Sequence, residues 1–223
     1  FSSGVKRVYE LKLKSGRRIK ASANHPFYKF SGWSRLDDLK LGDRVAVPRK
    51  IDVENGDTMR EINDNRLIIL AHLTGREKRI PEAIFVQSKE KIALFLKHLW
   101  ATDGCVHINT KEKGPRVRVY YASGSRLLVE QVAHLLLRLG VIGKITSTKK
   151  AGYEDMWSVV IQGKIEQLKF MRMVGGIGLR KIRAEKAISI LENILENPNN
   201  DVIPKEVWGE IEDARRHANL TTR

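Results

Sequence analysis

Cysteine is nearly absent: Cys105 is the only one in 223 residues. A single thiol cannot build a disulfide framework or a cysteine-based zinc site, which excludes disulfide-stapled scaffolds and zinc fingers. Long apolar runs are missing too. No stretch of about 18 consecutive apolar residues occurs, so no transmembrane helix is expected. The first residues also lack the apolar core and small-residue cleavage site of a secretory leader. Acidic residues are the minority, 26 against 41 Lys plus Arg, for a formal charge of +15. These absences lead to the expectation of a soluble intracellular protein, and the charge points to a polyanionic partner, nucleic acid first. The 42% share of hydrophobic residues is that of a chain with a packed core, not of a disordered tail.

The basic excess is uneven. Residues 1–50 hold 13 basic and 4 acidic side chains, and residues 101–150 hold 9 and 3. Between them runs a mixed polar segment, Ile51 to Asn65, which reads as a linker. Before it the pattern is one of short strands: Val8–Leu13 and Arg18–Ala21 around the turn Lys14-Ser15-Gly16-Arg17, then Phe27–Phe30 and Arg44–Val47, with Gly32 as a turn. From Arg66 the period becomes helical, with Leu67, Leu70, Ala71 and Leu73 on one face. A second helix is expected from Ser88, its N-cap, to Thr102, with Ile92, Phe95, Leu96 and Leu99 inward. Strands at Cys105–Asn109 and Arg116–Tyr121, a helix over 125–139, strands near 144–148 and 156–161 and three closing helices complete the order.

In Arg116-Val117-Arg118-Val119-Tyr120-Tyr121 the period of two puts Arg116, Arg118 and Tyr120 on one face and the other three residues on the opposite one. Such a strand can lie on phosphates or enter a major groove, with Lys111 and Lys113 of the preceding loop extending the patch. An ordinary solvated strand face is the plain alternative. Cys105 reads as packing rather than as a nucleophile. His72, His98, His107 and His134 show no recurring ligand spacing, so no metal is assigned to them.

Two stretches resemble known families. Gly4 to Lys50, with Ala21-Ser22-Ala23-Asn24-His25-Pro26-Phe27 and the run from Gly32-Trp33 to Pro48-Arg49, resembles part of a Hint domain, the self-splicing fold of inteins. That resemblance makes His25 the imidazole that polarises the scissile amide in the N-terminal acyl shift, and Ser22 its partner in a Ser-x-x-His version of the family's Thr-x-x-His. No cofactor is implied for splicing. The chain opens on Phe1 and closes on Thr222-Arg223 without the nucleophile and terminal Asn of an intein, so further splicing residues are expected to lie outside it.

Leu96-Lys97-His98-Leu99-Trp100-Ala101-Thr102-Asp103-Gly104 resembles the nine-residue signature of LAGLIDADG homing endonucleases. The family places two such helices side by side, each ending in an acid that holds a divalent metal, so the resemblance makes Asp103 catalytic and a ligand for Mg²⁺. A first copy is partial: Ile69 to Gly75 follows the signature, but Arg76-Glu77 stand where Asp-Gly belongs. Only 28 residues separate Gly75 from Asp103, too few for an αββαββ repeat; either the first repeat is deleted or residues after Gly75 lie outside this sequence, the second being the favoured reason.

Together these imply a mixed fold: residues 1–50 part of an all-β Hint-type splicing domain, 51–66 a linker, and 67–223 an α+β LAGLIDADG domain of αββαββα order with a helical extension. As a whole the chain is most similar to inteins inserted in bacterial replicative DNA helicases. The implied setting is the bacterial cytoplasm, and the implied partners are double-stranded DNA and the flanking host segments (exteins). A free-standing LAGLIDADG endonuclease, a non-catalytic DNA-binding module and a Hint-type autoprocessing domain attached to another protein are the alternatives. No G-x-x-x-x-G-K-[ST] occurs, so the chain itself carries no P-loop.

Overall fold

The computed structural model describes residues 4–53, 61–110, 115–149, 152, 154–194 and 207–218. Contacts group these into two compact units, which cut the chain differently from the linear boundaries expected at 50 and 66. One unit comprises residues 4–12, 18–47 and 207–218, and the other 13–17 and 48–194.

The first unit is built of two antiparallel hairpins. β1 (Val8–Lys12) pairs with β2 (Arg18–Ser22), and β3 (Pro26–Lys29) pairs with β4 (Gly32–Arg35). A single 3₁₀ turn follows at Leu36–Asp38, and the helix α7 (Val207–His217) belongs to the same unit. Two expectations are corrected here. Gly32 opens β4 instead of ending at a turn, because its φ of +105° lets the chain reverse and Tyr28 pair with Trp33. Arg44–Val47 forms no strand: the Ala46 N–H donates to the Tyr28 carbonyl at 2.8 Å, and a single bond is not a ladder. Pro48 removes the next donor. Phe27 is the only buried apolar side chain among the described residues of this unit.

The second unit carries the core. Within the segment read as a linker, Ile62 is already buried, its N–H held by Gln87 Oε1 at 3.0 Å. α1 (Asp64–Glu77) then starts from Asn63, whose side chain accepts from the Arg66 N–H. A short helix that periodicity missed, α2 (Glu82–Phe85), precedes α3 (Lys89–Asp103), capped by Ser88 as expected. β5 (Gly104–Asn109), β6 (Arg116–Ser123), α4 (Arg126–Arg138), β7 (Gly143–Thr148), β8 (Met156–Ile161), α5 (Lys164–Met173) and α6 (Leu179–Asn193) follow. From α3 to α5 the order is αββαββα, as the sequence period implied.

The four strands form one antiparallel sheet in the order β5-β6-β8-β7. Helices cover one face, against which Val106, Val117, Val119, Tyr121, Ile145, Val159 and Ile161 pack. Two polar side chains buried in this layer, Gln167 and Arg138, bond backbone carbonyls. The Gln167 amide donates to the carbonyls of Val117 and Ile161, both at 3.0 Å. The Arg138 guanidinium donates to the carbonyls of Phe85 and Gln87, tying α4 to the end of α2.

The edge strand β7 is not left open. The turn Leu13–Arg17 docks on it: the Ile145 N–H donates to the Ser15 carbonyl at 2.9 Å, and Arg126 Nη2 donates to the Gly16 carbonyl at 3.5 Å. Gly16 is required on two counts. Its φ is +83°, and a Cβ there would stand 2.1 Å from the Ile145 carbonyl oxygen. Edge strands are aggregation-prone unless covered, and this turn covers part of one. Gly16→Ala should therefore lower stability by about 2 kcal/mol, combining left-handed strain with a backbone clash. Urea unfolding measures it, and an unchanged midpoint would mean that the turn does not dock.

Candidate nucleic-acid interface

The open face of the sheet is set by the strand alternation. Along β6, Arg116 and Arg118 are exposed and Tyr120 is half-buried, whereas Val117, Val119 and Tyr121 are buried. Cross-strand pairing widens the row: Asn109 lies opposite Arg116, His107 opposite Arg118, and Cys105 opposite Tyr120. On the other side of β6, Ala122 pairs with Ser158, which pairs in turn with Thr146. The result is a polar surface with two arginines, an imidazole, an amide and hydroxyls on one plane. Arg118 lies over the Tyr120 ring, its guanidinium carbon 6.0 Å from the ring centre. A hydrogen bond with Cys105 raises the Tyr120 phenol above its ordinary range, so the thiol serves that contact. Lys111 and Lys113, expected to extend this patch, lie outside the described residues.

Asp103 stands at the last residue of α3, exposed at the end of the helix pair. α1 and α3 run parallel, since three contacts recur in the same order along both. Lys91 pairs with Asp64 at 2.6 Å, the His72 and His98 rings lie 5.6 Å apart, and Gly75 meets Asp103. A Cβ on Gly75 would stand 3.0 Å from Asp103 Oδ2, so a larger residue would press on the carboxylate. Gly104, the residue after the acid, is far more tightly constrained: a Cβ there would sit 2.1 Å from the Trp100 ring. That indole is buried between Tyr121 and Phe170. Burial first, then the Asp103 carboxylate, pushes the Tyr121 phenol upward and keeps it neutral. Arg180 of α6 reaches the same end of α3, its Nη2 donating to the Thr102 carbonyl at 3.4 Å. Sequence reasoning missed Arg180, because nothing in its spacing links it to a residue 78 positions earlier.

Where the LAGLIDADG pattern would supply a second acid, α1 continues through Arg76 and Glu77 and closes on Lys78 in the left-handed conformation, φ 58°. This is the helix-ending position that usually takes glycine. Among the described residues no group of three or more His, Cys, Asp and Glu side chains is placed to hold a metal ion. Asp103 is a hard oxygen ligand of the type Mg²⁺ takes, but one carboxylate does not make a two-acid site. The described residues do not fit that metal arrangement.

In the first unit, the Ser22–His25 segment is a turn closed by the His25 N–H donating to the Ser22 carbonyl at 3.0 Å. The Ser22 hydroxyl donates to Asn24 Oδ1 at 2.8 Å and not to the imidazole. The exposed His25 ring rests edge-on against buried Phe27, 5.2 Å between centres.

Comparison with known proteins agrees with the fold. Residues 90–175 match the family described as "LAGLIDADG-like domain". The chain is 28% identical to the replicative DNA helicase DnaB of Rhodothermus marinus, over 95% of this chain and 30% of the helicase. It is 38% identical to the ribonucleoside-diphosphate reductase NrdEB subunit alpha of Bacillus subtilis, over 34% of this chain and 7% of that subunit. The homing endonuclease I-CvuI, crystallised with DNA in the presence of Mg, matches 46% of this chain and 66% of its own, at 18% identity and a TM-score of 0.33. The chain thus carries a LAGLIDADG-like domain. Over 93–100% of its length the chain is similar to segments of replicative DNA helicases DnaB, and it spans about a third of the length of those helicases. The DnaB alignment extends over 291 residues, more than the 223 present here, so the helicase holds residues in this stretch that have no counterpart in this chain. Among the described residues no helix is long and apolar enough to cross a membrane.

Proposed function

We propose that the chain is an intein inserted in a replicative DNA helicase, that its second unit binds double-stranded DNA on the open sheet face, and that its first unit contributes His25 and Ser22 to splicing. The observation that carries the DNA reading is the division of β6 into a packed apolar side and an exposed side bearing Arg116, Arg118 and Tyr120. Side chains spaced along one plane of an antiparallel sheet can track phosphates while amides, imidazoles and hydroxyls read base edges. The likeness of this one chain to segments of a helicase and of a reductase subunit supports an inserted element, since those hosts share no chemistry that 7% of one and 30% of the other would supply.

Cleavage is a separate matter from binding. Asp103 alone stands for the acid pair, and the residues that DnaB carries without counterpart here fall, on this reading, between Gly75 and Asp103. Deleting the end of the first repeat removes one acid and leaves the sheet face of the second intact. The domain is then a DNA-binding remnant that does not cut both strands. In splicing, the His25 imidazole donates to the scissile amide nitrogen as it leaves, and the Ser22 hydroxyl, bonded to Asn24 Oδ1, steadies the turn that carries the ring. The host segments supply the amide.

Replacing Arg116 and Arg118 together with alanine should weaken duplex binding and flatten the slope of log affinity against log salt by roughly two, one for each phosphate no longer neutralised. Fluorescence anisotropy across a salt series reads this, and an unaltered slope places the arginines away from DNA. In a precursor containing both host segments, His25→Ala should slow N-terminal cleavage about 10²-fold, with Ser22→Ala costing less. Parental rates in the His25 variant would remove this histidine from splicing.

A further inference from the structure

The α1–α3 pair brings together two imidazoles that their sequence positions keep 26 residues apart, His72 and His98. Their ring centres lie 5.6 Å apart with the planes at 70°. His72 is exposed and His98 half-buried, and among the described residues neither ring has a hydrogen-bond partner. We propose that His72 and His98 form a two-histidine site for a borderline divalent transition metal, Zn²⁺ or Ni²⁺, that clips α1 to α3.

The spacing carries the argument. A metal about 2.0–2.1 Å from one nitrogen of each imidazole stands roughly 3.2 Å from each ring centre, and a tetrahedral angle then sets the centres about 5.2 Å apart. The observed separation lies within a few tenths of an ångström of that figure. The ring torsion of histidine is broad, and the exposed His72 ring is free to turn its nitrogen toward the ion. Imidazole pairs select Zn²⁺, Ni²⁺ and Cu²⁺ over Mg²⁺, whose preferred ligands are oxygens. The site is therefore distinct in chemistry from Asp103, and it does not depend on the proposed nuclease ancestry. Burial, followed by the charges of His72 and Lys97, holds His98 below the ordinary imidazole range, which leaves its lone pair available near neutral pH. With two protein ligands and water completing the shell, binding is reversible.

The consequence is mechanical. A metal here fastens the two helices about one turn before the Gly75–Asp103 contact, and it should stabilise the folded chain by linkage. Zn²⁺ in tenfold excess over its dissociation constant should raise the thermal midpoint of the whole chain by about 4 °C. The rise should vanish in His72→Gln and in His98→Gln and persist in His107→Gln, whose imidazole sits on the open sheet face. Carbethoxylation of the unmodified chain gives a second readout that needs no variant. Zn²⁺ should protect His72 and His98 from the reagent, mapped by mass spectrometry, while His107 reacts at its metal-free rate. A Zn²⁺-induced rise retained in either glutamine variant would overturn the proposal, and so would unchanged modification of both rings.

Discussion

The close parallel packing of α1 against α3 is the contact on which the rest of the second unit depends. Gly75 lies at its end, where a Cβ would stand 3.0 Å from Asp103 Oδ2 and the carboxylate would have to give by a few tenths of an ångström. The pair lies in the core of the unit, where Leu67, Ala71 and Thr74 of one helix and Ile92, Phe95, Leu96 and Leu99 of the other are buried. Small residues at a helix interface let backbones approach, and the larger apolar ones beside them supply the area that stabilises the pair. Once the pair is fixed, Asp103 sits at its end. Gly104 then turns the chain into β5 directly under the Trp100 indole. The acid, the turn and the first strand of the sheet follow from one contact.

The sheet inherits its two-sided character from that arrangement. Helices α3 and α4 cover one face, so Val117, Val119 and Tyr121 of β6 pack inward, and the intervening positions are released for polar work. Buried polar groups between the layers bridge backbone that the strands cannot satisfy: Gln167 reaches two strands, and Arg138 closes the end of α2. These bonds cost little while complete and would be expensive to leave half-made. The docked turn at Gly16 does the same for the edge of β7, where an exposed N–H of Ile145 would otherwise remain.

Much of this was legible in the sequence wherever a period ran long enough. The Ser88 cap, the inward face of α3 and the alternation of β6 are each set by side chains within a few residues of one another. Short or long-range features were not. α2 has four residues, too few to show a helical period, and β4 hides behind Gly32, whose positive φ reads as a turn until Tyr28 is seen opposite Trp33. Arg44–Val47 has strand composition and no partner strand. The docking of Gly16 on Ile145, the reach of Arg180 to Thr102 and the meeting of His72 with His98 are tertiary contacts between distant segments, and no local spacing encodes them. Asp103 was visible because an acid-glycine pair ending an apolar helix is a local pattern, and for the same reason the absence of that pair after Gly75 was visible too.

The central claim is that the second unit keeps the DNA-binding face of a LAGLIDADG repeat while only one of two acids remains. The most direct measurement is cleavage of a helicase gene free of the insertion by this 223-residue chain in Mg²⁺, with duplex binding followed in parallel. The account predicts binding without double-strand cutting. Efficient cutting of both strands that Asp103→Asn abolishes, with no second acid supplied, would contradict it.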